Sequence, residues 1–263
     1  MIKFFRKIRR NLLSDGKTGK YLKYAVGEIV LVVIGILIAL SINNWNSNRA
    51  DRIREMEYMQ SMLVDLQKDK NDLDAKSEFG PIPVIYNDSL FAELQKRPLQ
   101  GREKRIYHFL LLYTNSIDIT YHDRTITQLR NSGGFQLIRN KKVSDAIMDY
   151  DIFMREAIKF MESSRYSNLI NNETQMNFNM FEFYKVVHLR DSAIIHKNDI
   201  SKVNYPDDLK LLSYDDDKIT VLLNSMSVIR ELDKTNYEKA VQALTMNRQL
   251  DSLIRKEYHL EQQ

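Results

Sequence analysis

The segment IVLVVIGILIALSI, from Ile29 to Ile42, decides the architecture of this chain. It carries no charge, and Ser41 is its one strongly polar residue. As a helix it would extend about 21 Å, which is short of a hydrocarbon core of roughly 30 Å. The flanking residues Tyr24 to Gly27 and Asn43 to Trp45 bring the insertable length to about 22 residues. We therefore predict a transmembrane helix over residues 24–45.

Several residues of this helix are predicted to have specific roles in the bilayer. Tyr24 and Trp45 are placed as interfacial anchors at its two ends. Glu28 lies about one turn inside Tyr24, where its carboxylate reaches the headgroups. A proton or transport role for Glu28 is the alternative. Gly35 and Ala39 form a small-xxx-small pair that would let two such helices approach closely.

The apolar segment has two alternative interpretations. A buried core helix normally has a polar face, and Ile29 to Leu40 has none. A cleavable signal peptide is the stronger alternative, because Ala39 to Ser41 resembles a small-x-small cleavage site. The long basic region and the position of Glu28 directly before the apolar residues favour an uncleaved anchor.

The charges on the two sides of the segment predict its orientation. Residues 1–28 contain eight basic and two acidic side chains, whereas the rest of the chain contains 31 basic and 33 acidic ones. The positive-inside rule places the N-terminus in the cytoplasm and residues 46–263 outside it, in the periplasm if the host is bacterial. Residues 1–23 form a basic amphipathic pattern suited to an anionic inner leaflet of the inner membrane. The body is not basic, so nucleic acid is not predicted as a partner.

The composition of the body predicts an all-α, bundle-like domain without disulfides. Only four glycines follow residue 35 and there is no cysteine. Residues 47–77 form a long membrane-proximal helix, followed by a break at 79–88 that contains Gly80, Pro81 and Pro83. A short heptad pattern marks the residues predicted for helix–helix contact: Met56, Met59, Leu63 and Leu66. Pairing of two subunits and packing within one chain both fit this pattern.

Local signals predict where later helices begin and end. Thr120 with Asp123 resembles a capping box, and Gly133 with Gly134 is typical of a left-handed helix stop. Asn140 and the acids Asp215 to Asp217 are predicted to cap two further helices. A last helix is expected from about Asp233 to Tyr258, packed against the long first helix.

The sequence predicts no catalytic, cofactor-binding or metal-binding residue. The five histidines lack metal-ligand spacing, and phosphate-binding or nucleophile motifs do not occur. Asp65 and Asp69 lie on one helix face, where solvated charge is the expectation. The favoured hypothesis is therefore an anchored interaction or scaffold protein that binds an envelope protein or a second copy of itself. The alternative is a ligand sensor or enzyme whose pocket is formed by His122, Arg130 and Arg139.

Three segments resemble a known family of membrane proteins. They are KTGKYLKYAVGEIVLVVIGILIALSINNWN in the anchor, MLVDLQKD in the first long helix, and TITQLRNSGGFQLIRNKKVSDAIMDYD from Thr125 to Asp151. They are similar to a family of flavobacterial and related single-pass proteins, the domain of unknown function 6090. The resemblance implies an uncleaved anchor. It implies no activity and supplies no catalytic residues.

Overall fold

The computed structural model describes residues 18–79, 81–113, 119–163 and 179–261. Most of the predicted basic segment 1–23 lies outside these residues. The chain divides into two compact units, residues 1–57 and 58–263. The described residues are almost entirely helical, with a single isolated bridge between Phe181 and Leu211 in place of any strand. The prediction of an all-α protein is confirmed.

The first helix contains the apolar segment. Helix α1 (Thr18–Phe79) includes an 18-residue window with a mean hydropathy of 2.7, of which no residue is buried. Ile29 is 63% exposed and Val33 is 47% exposed, so the apolar side chains face outward all round the helix. The core helix of a soluble protein would bury such residues, and exposed apolar surface of this extent is typical of a segment that contacts a membrane or another apolar surface. The helix is compatible with a single-pass membrane protein.

The predicted break at 79–88 is narrower in the structure. Helix α2 (Pro81–Gln95) begins almost directly after α1 ends at Phe79, so most of the expected loop is helical. Pro81 is the first residue of α2 and Pro83 the third. The first turn of a helix leaves its N–H groups without intrahelical partners, so proline is accommodated there. The prolines therefore mark a helix start rather than a loop.

The remaining helices described in unit 58–263 follow in order along the chain. They are α3 (Glu103–Tyr113), α4 (Arg124–Ser132), α5 (Lys141–Met161), α6 (Arg190–Ile195) and α7 (Asp216–Tyr258), with 3-10 turns at Gly134–Leu137, Phe183–Lys185, Val187–Leu189 and Ile200–Lys202. The predicted last helix starts earlier than expected, at Asp216 instead of Asp233. No glycine or proline lies between these two positions, so nothing in the backbone interrupts the helix.

The predicted caps have different outcomes. Gly133 adopts the left-handed conformation with φ of 70° and ends α4, as predicted. Asn140 accepts a hydrogen bond from the backbone N–H of Lys142, and Asp215 accepts one from Lys218, which confirms both N-caps. The capping box at Thr120 and Asp123 is wrong. Helix α4 starts at Arg124, and its N-cap residue, Asp123, makes no side-chain capping bond.

The helices of this unit enclose two groups of buried residues. One group is an apolar core formed by α2, α3, the first half of α7 and residues 180–211. The other comprises side chains of α1, α4, α5 and the second half of α7, including Leu66, Leu129, Ile147 and Ile254. Met180 and Phe181 belong to the apolar core.

Candidate functional site

The anchor residues are described only in part. The side chain of Tyr24 lies outside the described residues. Trp45 is 63% exposed, and the Arg49 guanidinium lies 5.8 Å from the centre of its ring. Glu28 is partly buried and makes an interaction within the chain. Their role at the bilayer surface stays a prediction.

The small-residue pair of the anchor is fully open. Gly35 and Ala39 are exposed, and a Cβ atom added at Gly35 would meet no atom within 4 Å. The surface of the helix is therefore open at Gly35 itself. Pairing through Gly35 and Ala39 stays a prediction.

The heptad positions of α1 are mostly buried by the chain itself. Met59, Leu63 and Leu66 are 0%, 8% and 1% exposed, and Met56 is partly buried. Asn247 of α7 donates a hydrogen bond from Nδ2 to the carbonyl of Leu66 at 2.9 Å, which places α7 against this part of α1. The predicted packing of the last helix on the first is confirmed. A coiled coil between subunits through Met59, Leu63 and Leu66 would require the body to open.

Two carboxylates that the sequence placed on a solvated face are buried. Asp65 and Asp69 are 2% and 1% exposed. They are four residues apart on α1 and so lie on the same face, as expected. That face is covered by the start of α4 and by α5. The expectation of solvated charge was wrong because hydrogen bonds from distant residues replace water around both carboxylates.

Asp69 is the centre of a buried hydrogen-bond network. Its Oδ1 accepts a bond from the backbone N–H of His122 at 2.7 Å and lies 2.9 Å from Nδ1 of the same residue. Its Oδ2 accepts a bond from the Tyr150 hydroxyl at 2.9 Å, and Asn247 Nδ2 lies 3.3 Å from that hydroxyl. Burial raises the pKa of Asp69, although the bonds from His122 and Tyr150 oppose this rise. Asp69 thereby joins α1 to α5 and to the loop before α4.

Asp65 of α1 caps the N-terminus of α4, where the adjacent residue Asp123 makes no side-chain capping bond. Its Oδ2 accepts bonds from the backbone N–H of Thr125 at 2.9 Å and from the Thr125 hydroxyl at 2.5 Å. Thr125 is the second residue of α4, where a free N–H group needs an acceptor and the helix dipole favours a negative charge. Helix α1 therefore caps α4 across 60 positions of sequence. The capping signal was present in the sequence, but at a residue far from the helix that it caps.

Asp151 of α5 forms a second carboxylate centre next to the first. It is 3% exposed and pairs with Arg130 of α4 and with Arg155, whose Nε lies 2.9 Å from Oδ1. The Tyr121 hydroxyl donates to the same Oδ1 at 2.9 Å. Arg155 also pairs with Asp123 at 2.6 Å. Two arginines and a tyrosine thus neutralise and solvate a buried carboxylate.

We call this set the carboxylate network, with Asp65, Asp69, His122, Thr125, Tyr150, Asp151, Arg130, Arg155, Tyr121 and Asn247 as its members. Two residues of the predicted pocket belong to this network: His122 contacts Asp69, and Arg130 pairs with Asp151. The third residue, Arg139, is exposed and follows the 3-10 turn at 134–137.

The chemistry available in the carboxylate network is that of fixed hydrogen bonds. His122 contacts Asp69, as the histidine of a catalytic dyad contacts its carboxylate, but two hydroxyls of the network already donate to carboxylates: Tyr150 to Asp69 and Thr125 to Asp65. The described residues contain no group of three or more histidine and acidic side chains able to hold a metal ion. The arrangement therefore supports a structural role for these side chains.

The sequence contains an indication that the side chain of Asp69 is buried. The buried residues Leu66 and Leu73 of α1 are separated by seven positions, and Asp69 lies three residues after the first and four before the second. An acid at this spacing belongs to the buried face of the helix. Its partners His122 and Tyr150 could not be identified from the sequence, because they lie 53 and 81 positions away.

Comparison with known protein families gives one match. Residues 28–80 match a family described as "Family of unknown function (DUF6090)". This confirms the family resemblance for the anchor and the following part of α1, which includes Asp65 and Asp69. Searches of curated proteins and of solved structures found no match.

Proposed function

We propose that this chain is a membrane-anchored helical interaction protein of a bacterial inner membrane. Residues 1–23 lie in the cytoplasm on the anionic leaflet, residues 24–45 span the bilayer, and residues 46–263 form the periplasmic body. The excess of basic residues before the apolar segment supports this orientation. Tyr24, Glu28 and Trp45 then lie at the two membrane surfaces.

One observation favours an interaction protein over an enzyme. Two side chains that could have served in a catalytic pocket instead hold the helices of the body together. His122 contacts Asp69, and Arg130 forms an ion pair with Asp151. A body built this way presents a fixed outer surface to a partner. We propose that the partner is an envelope protein or a second copy of the chain, with Gly35 and Ala39 as the contact between two anchors.

Exposed residues of α1 offer a direct test of partner binding. Val64 is 51% exposed, whereas its neighbour Leu66 is 1% exposed. A photo-crosslinking amino acid at Val64 of the full-length protein, irradiated in cells, should give a product of defined mass above the monomer. The same amino acid at Leu66 is the matched control and should give only crosslinks within the chain. If Val64 and the exposed position Gln67 both yield the monomer alone, the interaction proposal is wrong for this face.

Topology is tested separately. A reporter that is active only outside the cytoplasm, fused after Gln263, should be active in cells. As a control, the same fusion with Lys and Arg of residues 3–10 replaced by Gln should lose part of this activity, because the orienting charge is reduced. Activity of a cytoplasm-specific reporter at the same position would reverse the proposed orientation.

A further inference from the structure

A cationic cleft lies between α3 and the turn that precedes residue 200, away from the carboxylate network. It has a volume of about 120 Å³ and is lined by Arg105, His108, Phe109, Lys197, Asn198 and Ile200. Two of these side chains are cations, one is an amide, and none is a carboxylate. The cleft thus combines positive charge and a hydrogen-bond donor with an apolar wall from Phe109 and Ile200.

The positive charge of the cleft is only partly balanced by the carboxylate that contacts it. Glu93 is the carboxylate next to Arg105, at 3.2 Å, but it is also paired with Lys96 at 2.9 Å and with Arg102. One carboxylate therefore stands against three cations. Arg105 makes the longest of these contacts, and its side chain is 59% exposed. An anion entering the cleft would meet an excess of positive charge.

The acidic residue nearest in sequence to the cleft residues, Asp199, is held by contacts with its own turn. Asp199 accepts a hydrogen bond from the Ser201 hydroxyl at 2.6 Å and pairs with Lys202 at 3.4 Å. These contacts lower the pKa of Asp199 and hold its carboxylate on its own turn. Lys197, in contrast, is exposed at the mouth of the cleft.

The shape of the cleft is fixed by buried side chains beneath it. His108 is 3% exposed; its Nε2 donates to the carbonyl of Lys197 at 3.1 Å, so its Nδ1 accepts from the Tyr205 hydroxyl at 3.0 Å. Burial lowers the pKa of His108, which keeps the ring neutral in this arrangement. The Arg105 guanidinium lies 5.9 Å from the centre of the Phe109 ring. The backbone that carries Lys197 and the ring beside Arg105 are therefore held in place by contacts within the chain.

We propose that this cleft binds a small carboxylate anion. The planar guanidinium of Arg105 matches a carboxylate with two parallel hydrogen bonds, while Lys197 and Asn198 supply further donors. A dry cavity of about 150 Å³ accommodates benzene, so about 120 Å³ admits a ligand of only a few heavy atoms. Phe109 and Ile200 supply apolar contacts in the same cleft, which favour an anion that carries an aliphatic group over a fully polar one.

Binding of acetate tests the proposal on the full-length protein in detergent micelles. The probe is acetate labelled with ¹³C at its carboxyl carbon, and the readout is the broadening of that signal as protein is added at constant ionic strength. We expect saturable broadening that unlabelled acetate reverses and that sodium chloride does not. Arg105→Gln should weaken the apparent affinity about tenfold, since it removes the charged, forked donor. Lys197→Gln should weaken it to a smaller extent.

Lys104→Gln is the matched control. It removes the same charge one residue away on α3, but Lys104 bonds Asp207 at 2.7 Å and does not line the cleft. Its acetate affinity should stay at the wild-type level. Equal weakening by Lys104→Gln and Arg105→Gln would mean a diffuse charge effect and would overturn the site. Absence of saturable broadening would also overturn it, and displacement of acetate by inorganic phosphate at lower concentration would overturn the carboxylate assignment.

Discussion

The two halves of α7 lie in different kinds of interior. Its first half packs Ile219, Leu222 and Met226 into an apolar core with α2 and α3. Its second half brings Asn247 to the carboxylate network, where buried acids are satisfied by hydrogen bonds from other helices. Apolar contacts are non-directional and tolerate small shifts, whereas hydrogen bonds have narrow distance and angle limits. The comparison teaches that apolar burial contributes at both ends of the helix, and that the second end also lies beside buried carboxylates whose hydrogen bonds constrain its position.

The largest effect is expected from the apolar half. Leu110 of α3 is 0% exposed in this core. Leu110→Ala should lower the free energy of unfolding by about 4 kcal/mol, because it removes buried methyl groups and leaves a cavity. Denaturant unfolding of the full-length protein, followed by circular dichroism, measures this loss. Leu212→Ala, at a residue that is 55% exposed, should cost less than about 0.5 kcal/mol. Equal losses for the two variants would contradict the assigned core.

A somewhat smaller effect is expected from the polar half. Asp69→Ala leaves the His122 N–H and the Tyr150 hydroxyl buried without an acceptor, and should cost about 3 kcal/mol. Asp72→Ala is the control on the same helix. The Asp72 side chain is 43% exposed and lies 4.0 Å from the His122 ring, so its loss should cost less than about 0.5 kcal/mol. If Asp69→Ala were as mild as Asp72→Ala, the network would not contribute to stability.

The smallest expected effect is a dependence of the unfolding free energy on pH, which should occur in the polar half and not in the apolar half. Because burial raises the pKa of Asp69 in the folded protein above its value in the unfolded chain, the folded state holds a proton more tightly. The contribution of Asp69 is therefore fully present below about pH 4 and declines as pH rises through the raised pKa. Asp69→Asn cannot titrate, so the unfolding free energy of wild type minus that of this variant should fall with rising pH across this interval.

Leu110→Ala provides the contrast for this measurement. The difference between wild type and Leu110→Ala should not change over the same pH range, because leucine does not titrate. A rise of the Asp69 difference with pH would show that the hydrogen bonds from His122 and Tyr150 outweigh burial. The sign of the slope is thus the decisive observation.

What the sequence predicted correctly is largely local. The apolar segment, the all-α class, the stop at Gly133 and the caps at Asn140 and Asp215 each depend on residues that are near one another in the chain. Helix propensity and the geometry of one turn are sufficient to predict such features. The continuous start of α7 at Asp216 was missed because the acids of the cap and the residues after Asp233 were assigned to separate helices.

The carboxylate network and the cationic cleft lay beyond sequence reasoning for the same reason. Asp65 caps a helix 60 positions away, and His108 fixes the carbonyl of Lys197 across 89 positions. An acid on a helix is normally solvated, and nothing adjacent to Asp65 indicates that its partner is the N-terminus of α4. Such contacts appear only when tertiary packing brings distant segments together.

The bond from Asn247 to the carbonyl of Leu66 joins residues 181 positions apart. During translation Leu66 and Asp69 leave the ribosome long before α7 exists, so their buried face must wait in water for its cover. Closure of this half therefore requires contacts between segments far apart in sequence, which carry a larger loop-closure cost than local contacts. Until then the apolar side chains on this face of α1 lack their native cover, and surface exposed in this way makes an incomplete chain prone to aggregation.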